Sequence, residues 1–241
     1  MVENQQHTAF TASSITDNLV RIRGRLTDAC NLYGRDFYDV RLIAVSKTKP
    51  LEAIHTAIKA GQFDFGENQV QDALTKIPNI NDRKINWHFI GPLQSNKTRH
   101  IPGNFNWWHT LSRIHIAQRV SRKAIEIDKA VNALIQVNVT NDPVKAGVLI
   151  ADLPSLIDEI LEKDLEGITL RGLMTIGPHG GSEAELRLCF SQLKRLLETM
   201  RQQFGIGGFD QLSMGMTDDM EQAIAEGATM VRVGSAIFGS R

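Results

Sequence analysis

Cysteine is scarce in this chain, which has 241 residues and only two cysteines, Cys30 and Cys189. They lie far apart, without the paired spacing or the histidine cluster that zinc sites and disulfide frameworks use. The sequence therefore argues against a structural zinc site and against a disulfide-stapled fold. Because unpaired cysteines are typical of reducing compartments, we expect a cytoplasmic protein in which both thiols are buried as small hydrophobic groups.

An excess of charge of either sign is also absent, since 27 Lys and Arg residues are matched by 27 Asp and Glu residues. A net charge of zero gives no general attraction to nucleic acid or to an anionic membrane surface. Short basic runs occur at residues 21–25 and 97–100, and we interpret both as solvated helix faces. We therefore expect no nucleic-acid partner.

Long apolar runs are missing, and none approaches the roughly 20 residues that a bilayer-spanning helix requires. Residues 1–13 are polar and lack the pattern of a signal peptide, so we interpret them as a flexible leader. No Pro- and Ser-rich linker divides the rest of the chain, and its 42% apolar and 22% charged residues are ordinary for a soluble globular protein. The sequence predicts no membrane association and a single domain over residues 14–241.

Alternating strand and helix patterns are what the chain does contain. Apolar residues at helical spacing predict an amphipathic helix over residues 14–32. Strands are predicted at residues 41–46, 63–65, 85–90, 105–110, 133–139, 170–176, 211–213 and 230–233. Continuous apolar strands that alternate with helices predict a parallel sheet, and about eight such units predict a single (β/α)8 barrel. An open doubly wound sheet is the alternative. We expect the N-terminal helix to cover the place of a missing last helix.

A lysine stands at the end of the first predicted strand, directly after apolar residues. In a barrel, the carboxyl ends of the strands carry the active-site groups. An amine held against apolar neighbours has a lowered pKa and condenses readily with an aldehyde, which suits Lys47. Lys49 is the alternative amine. We favour Lys47 because it is expected to lie closer to the core, whereas Lys49 abuts Pro50 at the start of a helix.

Small polar segments follow the last two predicted strands, where barrels frequently bind phosphate. They are Ser213-Met214-Gly215 and Gly234-Ser235. Glycine lets a backbone approach a ligand closely, and a short helix that begins near Ser235 would point its N-terminal amides at an anion. Ordinary turn chemistry explains each segment equally well.

A charged residue, Arg232, lies inside the apolar eighth strand, where it is costly unless an acceptor pairs with it. The acceptor for Arg232 is either a buried carboxylate of the protein or an atom of a ligand. The polar groups of Glu67 and Asn68 likewise need a partner, either within the protein or in a ligand. His88 and His109 also lie in predicted strands. They lack metal-ligand spacing, so we interpret them as hydrogen-bonded histidines of the core or of a pocket.

Six segments, in order along the chain, resemble those of one protein family. They are AVSKTKP (44–50), FGEN (65–68), WHFIGPLQSNK (87–97), RGLM (171–174), LSMGM (212–216) with DM (219–220), and VRVGSAIFG (231–239). The motifs are similar to those of the pyridoxal phosphate homeostasis proteins, and the resemblance covers nearly the whole chain from about residue 14.

The resemblance implies a barrel similar to the N-terminal barrel of alanine racemase, which is fold type III among pyridoxal phosphate proteins. It also implies pyridoxal 5′-phosphate bound as a Schiff base. By the same resemblance the cofactor lysine is Lys47, and the arginine at the pyridine nitrogen is Arg232. The resemblance also implies that Asn68 lies near the ring and that Lys145 is a second lysine implicated in cofactor transfer. The phosphate-binding residues that it implies are Ser213, Met214, Gly215, Gly234 and Ser235.

An arginine at the pyridine nitrogen favours a carrier over an enzyme. Arginine stays protonated and donates to an unprotonated ring nitrogen, which makes the ring a weaker electron sink. Alanine racemase also takes its second base from a tyrosine of a further domain, whereas Tyr33 and Tyr38 of this chain precede the first strand. We expect a monomer that buffers pyridoxal phosphate or delivers it to apo-enzymes. The alternatives are an amino-acid racemase-like enzyme and, less favoured, a Schiff-base aldolase without cofactor.

Overall fold

A computed structural model of the chain describes residues 12–239. Its first element, α1 (Ala12–Leu32), begins two residues before the predicted helix. The rest of the predicted leader, residues 1–11, lies outside the described residues, so its flexibility stays a prediction. Cys30 and Cys189 are both buried and free, as expected.

Eight parallel strands form a closed barrel. They are β1 (Arg41–Val45), β2 (Asp64–Glu67), β3 (Asn86–Phe89), β4 (Trp107–Leu111), β5 (Val131–Asn138), β7 (Ile168–Met174), β8 (Gln211–Ser213) and β9 (Met230–Val233). Each pairs with the next in the order β4-β3-β2-β1-β9-β8-β7-β5, and a further pairing of β4 with β5 closes the ring. The closure confirms the predicted (β/α)8 barrel and rejects the open sheet.

One strand was not predicted. The two-residue β6 (Val148–Leu149) pairs with the end of β5 outside the ring and follows the loop of residues 139–147. A segment this short shows no apolar alternation, and it forms because the preceding loop brings it alongside β5. Its place is beside the candidate site, where the loop carries Lys145.

Helices cover the outside of the barrel. After α1 come α2 (Leu51–Lys59), α3 (Val70–Lys76), α4 (Ile114–Glu126), α5 (Leu153–Glu162), α6 (Glu183–Phe204), α7 (Met220–Ala225) and α8 (Ser235–Phe238), with short 3-10 helices at Phe37–Asp39, Ile77–Asn79, Ser95–His100 and Ile150–Asp152. None of the helices between residues 12 and 239 has the length and apolar character needed to cross a membrane.

The N-terminal helix takes the place that a long last helix would occupy. The helix after β9, α8, has only four residues. α1 packs against α2, α7 and α8, and its Asn18 side chain donates a hydrogen bond to the Ile237 carbonyl at 3.0 Å. Leu19 and Leu26 of α1 are completely buried, so this helix is part of the main core, as expected.

Two cores lie on the two sides of the strands. The larger core contains the outward-facing strand residues and the inner faces of the helices. Inside the barrel, a small separate apolar cluster contains Ile43, Trp107, Leu134, Met174 and Met230. Buried polar side chains, including His88, His109 and Ser213, fill the rest of the interior. The barrel therefore has a polar interior below its mouth.

Candidate functional site

The predicted lysine and one predicted phosphate segment meet in a single cavity of 240 Å³, because β1 and β9 are neighbours in the ring. Lys47, Gly234 and Ser235 line it, together with Val45, Thr48, Lys49 and Gly239. Segments almost 190 residues apart in the sequence are thus joined at the carboxyl ends of two adjacent strands. The short helix predicted near Ser235 is present as α8.

The burial argument that favoured Lys47 over Lys49 was wrong. Lys49 is the buried lysine, with 8% of its surface exposed, and its Nζ donates to the Gly239 carbonyl at 3.0 Å, whereas Lys47 is half-buried. The physical reason is the backbone between them: Thr48 adopts a left-handed φ of 62°, so the chain turns and the two lysines do not share a strand face. The assignment of Lys47 stays a prediction that rests on the resemblance.

A buried ion cluster behind Lys47 holds this turn in place. Lys76 of α3 donates from Nζ to the Ser46 carbonyl and to Glu67 Oε1, both at 3.0 Å, and to Asp72 Oδ2 at 2.7 Å. The Ser46 hydroxyl donates to Glu67 Oε1 at 2.6 Å, and the Thr48 N–H donates to Asp72 Oδ2 at 3.0 Å. The lysine-bearing turn is thereby fixed to β2 and α3.

The cluster supplies a partner within the protein for one oxygen of Glu67, Oε1, whereas its Oε2 is buried without a hydrogen-bond partner among the described residues. Burial is the largest influence on it and raises the pKa of Glu67 to about 7, against the opposing effects of Ser46 and Lys76. The sequence signal was a carboxylate inside the buried strand β2. Its partner Lys76 was missed because nothing in the helical pattern of α3 distinguishes it from a solvated lysine.

Arg232 is a buried cation without a carboxylate hydrogen bond to any of residues 12–239. Nη1 donates to the Ser213 hydroxyl at 2.7 Å, and Nη2 donates to the Thr175 carbonyl at 3.0 Å. Burial lowers the pKa of Arg232 to about 10, with the Asp219 charge acting in the opposite direction. Since a guanidinium has five N–H donors, the two bonds leave donors for an acceptor atom of a ligand.

The segment of residues 213–215 divides between the interior and the core. Ser213 is completely buried, and its hydroxyl bonds Arg232 and His109. The Met214 side chain is buried in the larger core. Gly215 has a left-handed φ of 90°, and a Cβ there would lie only 2.5 Å from the Ala223 Cβ.

A glycine with a different character lines the cavity. Gly234 has no left-handed conformation, and a Cβ there would find only an ordinary 3.4 Å contact with Val45. Contacts within the protein therefore do not require glycine at this position. The missing side chain at Gly234 leaves space for a ligand beside Lys47.

Two predicted residues lie elsewhere around the mouth of the barrel. Lys145 lines a separate cavity of 280 Å³ whose lining comes from the carboxyl-end regions of β3, β4, β5 and β7, and its Nζ donates to the Gly177 carbonyl at 3.1 Å. Asn68 follows β2 and lines a third cavity, of 360 Å³, with Phe89 and Lys97. Neither residue lines the cavity of Lys47.

Comparisons with known proteins agree with this architecture. The family described as alanine racemase, N-terminal domain, matches residues 17–241. An alanine racemase of Clostridium difficile has the same fold, with a TM-score of 0.73 and 14% identity over 95% of this chain and 57% of that one. The fold is therefore that of the alanine racemase N-terminal barrel.

Closer relatives define the family within that fold. The pyridoxal phosphate homeostasis protein of Pseudomonas aeruginosa is 44% identical over 229 residues, which are 95% of this chain and 96% of the relative, and that of Haemophilus influenzae is 43% identical over 95% and 96%. The structure of PipY from Synechococcus elongatus with PLP bound has a TM-score of 0.82 and 37% identity over 93% of this chain and 100% of that one. The chain belongs to the pyridoxal phosphate homeostasis protein family.

Proposed function

We propose that this protein binds pyridoxal 5′-phosphate through Lys47 and serves intracellular homeostasis of that cofactor by buffering or delivering it. The observation that carries the proposal is the shared cavity of Lys47, Gly234 and Ser235. The names of the curated relatives and the PLP-bound structure of PipY support it.

The residues that line the cavity, together with Arg232 two residues before Gly234 in β9, suit a phosphorylated pyridine aldehyde. When bound, the cofactor supplies an aldehyde carbon that a lysine amine attacks. Lys47 would provide this amine, Ser235 and the open backbone at Gly234 would hold the phosphate, and Arg232 would donate to the ring nitrogen. A buried guanidinium without a carboxylate gains from such an acceptor, because its own desolvation is otherwise only partly offset.

We further propose that the protein is a carrier without strong catalysis of its own, rather than a racemase-like enzyme. A ring nitrogen that accepts from Arg232 stays unprotonated, so carbanion formation is weakly supported. Neither tyrosine supplies a base at the mouth: Tyr33 follows α1 beside Arg187, and Tyr38 is exposed before β1, at the opposite end of the barrel. Delivery to apo-enzymes as a cytoplasmic monomer is part of this proposal.

Borohydride trapping tests the cofactor and its lysine. The visible spectrum of the protein with pyridoxal phosphate is recorded before and after reduction, and the modified peptide is mapped by mass. We expect a reduced pyridoxyl group on Lys47 and loss of the band in Lys47→Ala. Lys49→Ala and Lys145→Ala are matched controls that should retain it. A label on either control lysine, with none on Lys47, would contradict the assignment.

Turnover and transfer measurements test the carrier. The loaded protein should show no sustained interconversion of D- and L-alanine, and should restore activity to a pyridoxal phosphate-dependent apo-enzyme faster than its spontaneous release of cofactor allows. Steady racemisation at an ordinary enzymatic rate would contradict the proposed carrier and support the racemase-like enzyme instead.

A further inference from the structure

A continuous row of buried hydrogen bonds crosses the inside of the barrel. We call it the interior chain; its members are Asp64, His88, His109, Ser213 and Arg232. Along it, Asp64 Oδ1 lies 3.1 Å from His88 Nε2, His88 Nδ1 lies 2.9 Å from His109 Nε2, His109 Nδ1 lies 2.9 Å from Ser213 Oγ, and Arg232 Nη1 lies 2.7 Å from Ser213 Oγ. The row links the amino-terminal end of β2 to the arginine proposed to face the cofactor.

Only one end of the interior chain meets solvent. His88, His109 and Ser213 are completely buried and Arg232 is nearly so, whereas 18% of the Asp64 side chain is exposed. Asp64 also lies 3.5 Å from the guanidinium of Arg41. A set of polar groups this deep in a barrel is stable only if every member has a partner, and each of them has one.

The chemistry of the two ends fixes the direction of all four bonds. Arginine has no acceptor, so Arg232 donates to the Ser213 hydroxyl. A carboxylate has no donor, so His88 donates to Asp64 from Nε2. A neutral imidazole carries one hydrogen, which leaves His88 Nδ1 as an acceptor.

The second histidine, His109, links His88 to the Ser213 hydroxyl. His109 donates to His88 from Nε2, and its Nδ1 accepts from the Ser213 hydroxyl. Burial, the largest influence, lowers the pKa of both His88 and His109, although Asp64 acts in the opposite direction on His88. A charge on His88 and the charges of Arg232 and Arg41 lower the pKa of His109 further. Burial thus favours the neutral form of both imidazoles, and with both neutral every bond points from Arg232 towards Asp64.

This direction has a consequence for Arg232. The hydrogen of the Ser213 hydroxyl is committed to His109, so its oxygen presents only lone pairs to the guanidinium, and a hydroxyl that donates is a stronger acceptor. Together with the Thr175 carbonyl, Ser213 holds two nitrogens of Arg232 in one plane. The remaining N–H donors are then fixed in direction.

We propose that the histidines and Ser213 are positioning residues for Arg232, and that Asp64, at the far end of the barrel, sets the tautomer of both histidines. The inference rests on the proposed function only where it assigns Arg232 to the cofactor. The charged groups around the interior chain are Arg41 of β1, Asp64 of β2, Arg171 of β7, Asp219 before α7 and Arg232 of β9.

Nitrogen-15 NMR of the histidine side chains in the cofactor-free protein tests the tautomers directly, without any variant. We expect both His88 and His109 to be neutral at pH 7 and to carry hydrogen on Nε2. A hydrogen on Nδ1 of either ring, or a charged ring at pH 7, would overturn the proposal. This result does not depend on whether the protein binds pyridoxal phosphate.

Variants at the far end test the coupling. Asp64→Ala should shift the His109 resonances and weaken pyridoxal phosphate binding about fivefold, the equivalent of one net hydrogen bond. Asp210→Ala is the matched control, because Asp210 lies at the same end of the barrel, 3.9 Å from Arg171, outside the interior chain. Equal effects of Asp64→Ala and Asp210→Ala would contradict coupling through the interior chain.

A double-mutant cycle separates coupling from loss of packing. His109→Asn keeps an acceptor for Ser213 but breaks the contact with His88. In this background Asp64→Ala should no longer weaken binding, whereas independent structural effects would add. Additive effects would overturn the inference, and a protein that never binds the cofactor would instead refute the proposed function.

Discussion

At the level of single residues, two glycines at the carboxyl ends of neighbouring strands serve different purposes. Gly215 is required by the fold, since it has a φ of 90° and its missing Cβ would collide with Ala223. Gly234 is not required by any such contact, and it lines the cavity of Lys47. One glycine therefore belongs to packing and the other to the candidate site.

Alanine substitutions at Gly215 and Gly234 should therefore have different effects. Gly215→Ala should destabilise the protein by about 3 kcal/mol, from the overpacking against Ala223 and the left-handed backbone that alanine disfavours. Gly234→Ala should change the free energy of unfolding little but weaken pyridoxal phosphate binding at least tenfold, because the methyl group occupies the space beside Lys47. Urea denaturation and a spectroscopic titration measure the two effects. Unchanged binding in folded Gly234→Ala would remove this glycine from the site.

At the level of elements, the end of β1, β2 and α3 are joined by the cluster of Ser46, Glu67, Asp72 and Lys76. Such a cluster contributes less to stability than its short distances suggest, because burying the charges offsets much of their attraction. Its structural effect is local. It holds the left-handed turn at Thr48 between Lys47 and Lys49, both of which line the cavity.

The raised pKa of Glu67 predicts a pH dependence of stability. The folded protein binds this proton more tightly than the unfolded chain, so the stabilising contribution is present below pH 4.5 and is lost as the pH rises through about 7. The loss is on the order of 3 kcal/mol. Glu67→Gln stays neutral and should not show it, so the stability difference between wild type and variant should change across this window.

Urea denaturation at pH 5, 6, 7 and 8 measures that difference. Glu221→Gln is the control, because Glu221 forms a partly exposed ion pair with Arg25, away from the cluster. We expect the control to run parallel to wild type. Parallel curves for Glu67→Gln as well would show that Glu67 is ionised in the folded protein throughout.

At the level of the whole molecule, the barrel could be predicted from the sequence because apolar strand segments alternate with helical patterns along most of the chain. All eight barrel strands lie within about two residues of their predicted bounds. Features that depend on the three-dimensional path could not be predicted. The left-handed turn at Thr48 reversed the expected burial of the two lysines.

Long-range partners were missed for the same reason. His88 and His109 were predicted to be hydrogen-bonded, and they are. The two histidines lie 21 residues apart, Asp64 lies 24 residues from His88, and Ser213 lies 104 residues from His109. No spacing in the sequence marks such pairs. The candidate site was predicted mainly through motif resemblance. The contacts that support it could be identified only from the three-dimensional structure, because they join residues distant in the sequence.

The N-terminal helix α1 covers one side of the closed barrel and packs against α8 beside the cavity. If α1 is integral to the main core, then Leu19→Ala should destabilise the protein by about 3 kcal/mol, because it leaves a cavity in a fully buried position. Val20→Ala on the exposed face of the same helix is the control and should cost less than about 0.5 kcal/mol.

The form of the unfolding curve decides whether α1 acts with the barrel. Far-UV circular dichroism and tryptophan fluorescence should report one coincident urea transition in Leu19→Ala. The three tryptophans lie in β3 (Trp87) and β4 (Trp107 and Trp108), away from α1, so the fluorescence reports the barrel. Saturating pyridoxal phosphate should raise both midpoints together, since a ligand that binds only the folded state stabilises the entire cooperative unit. An early loss of helix signal with unchanged fluorescence would instead make α1 a separately folding cover, and α8 and the cavity would then retain their structure without it.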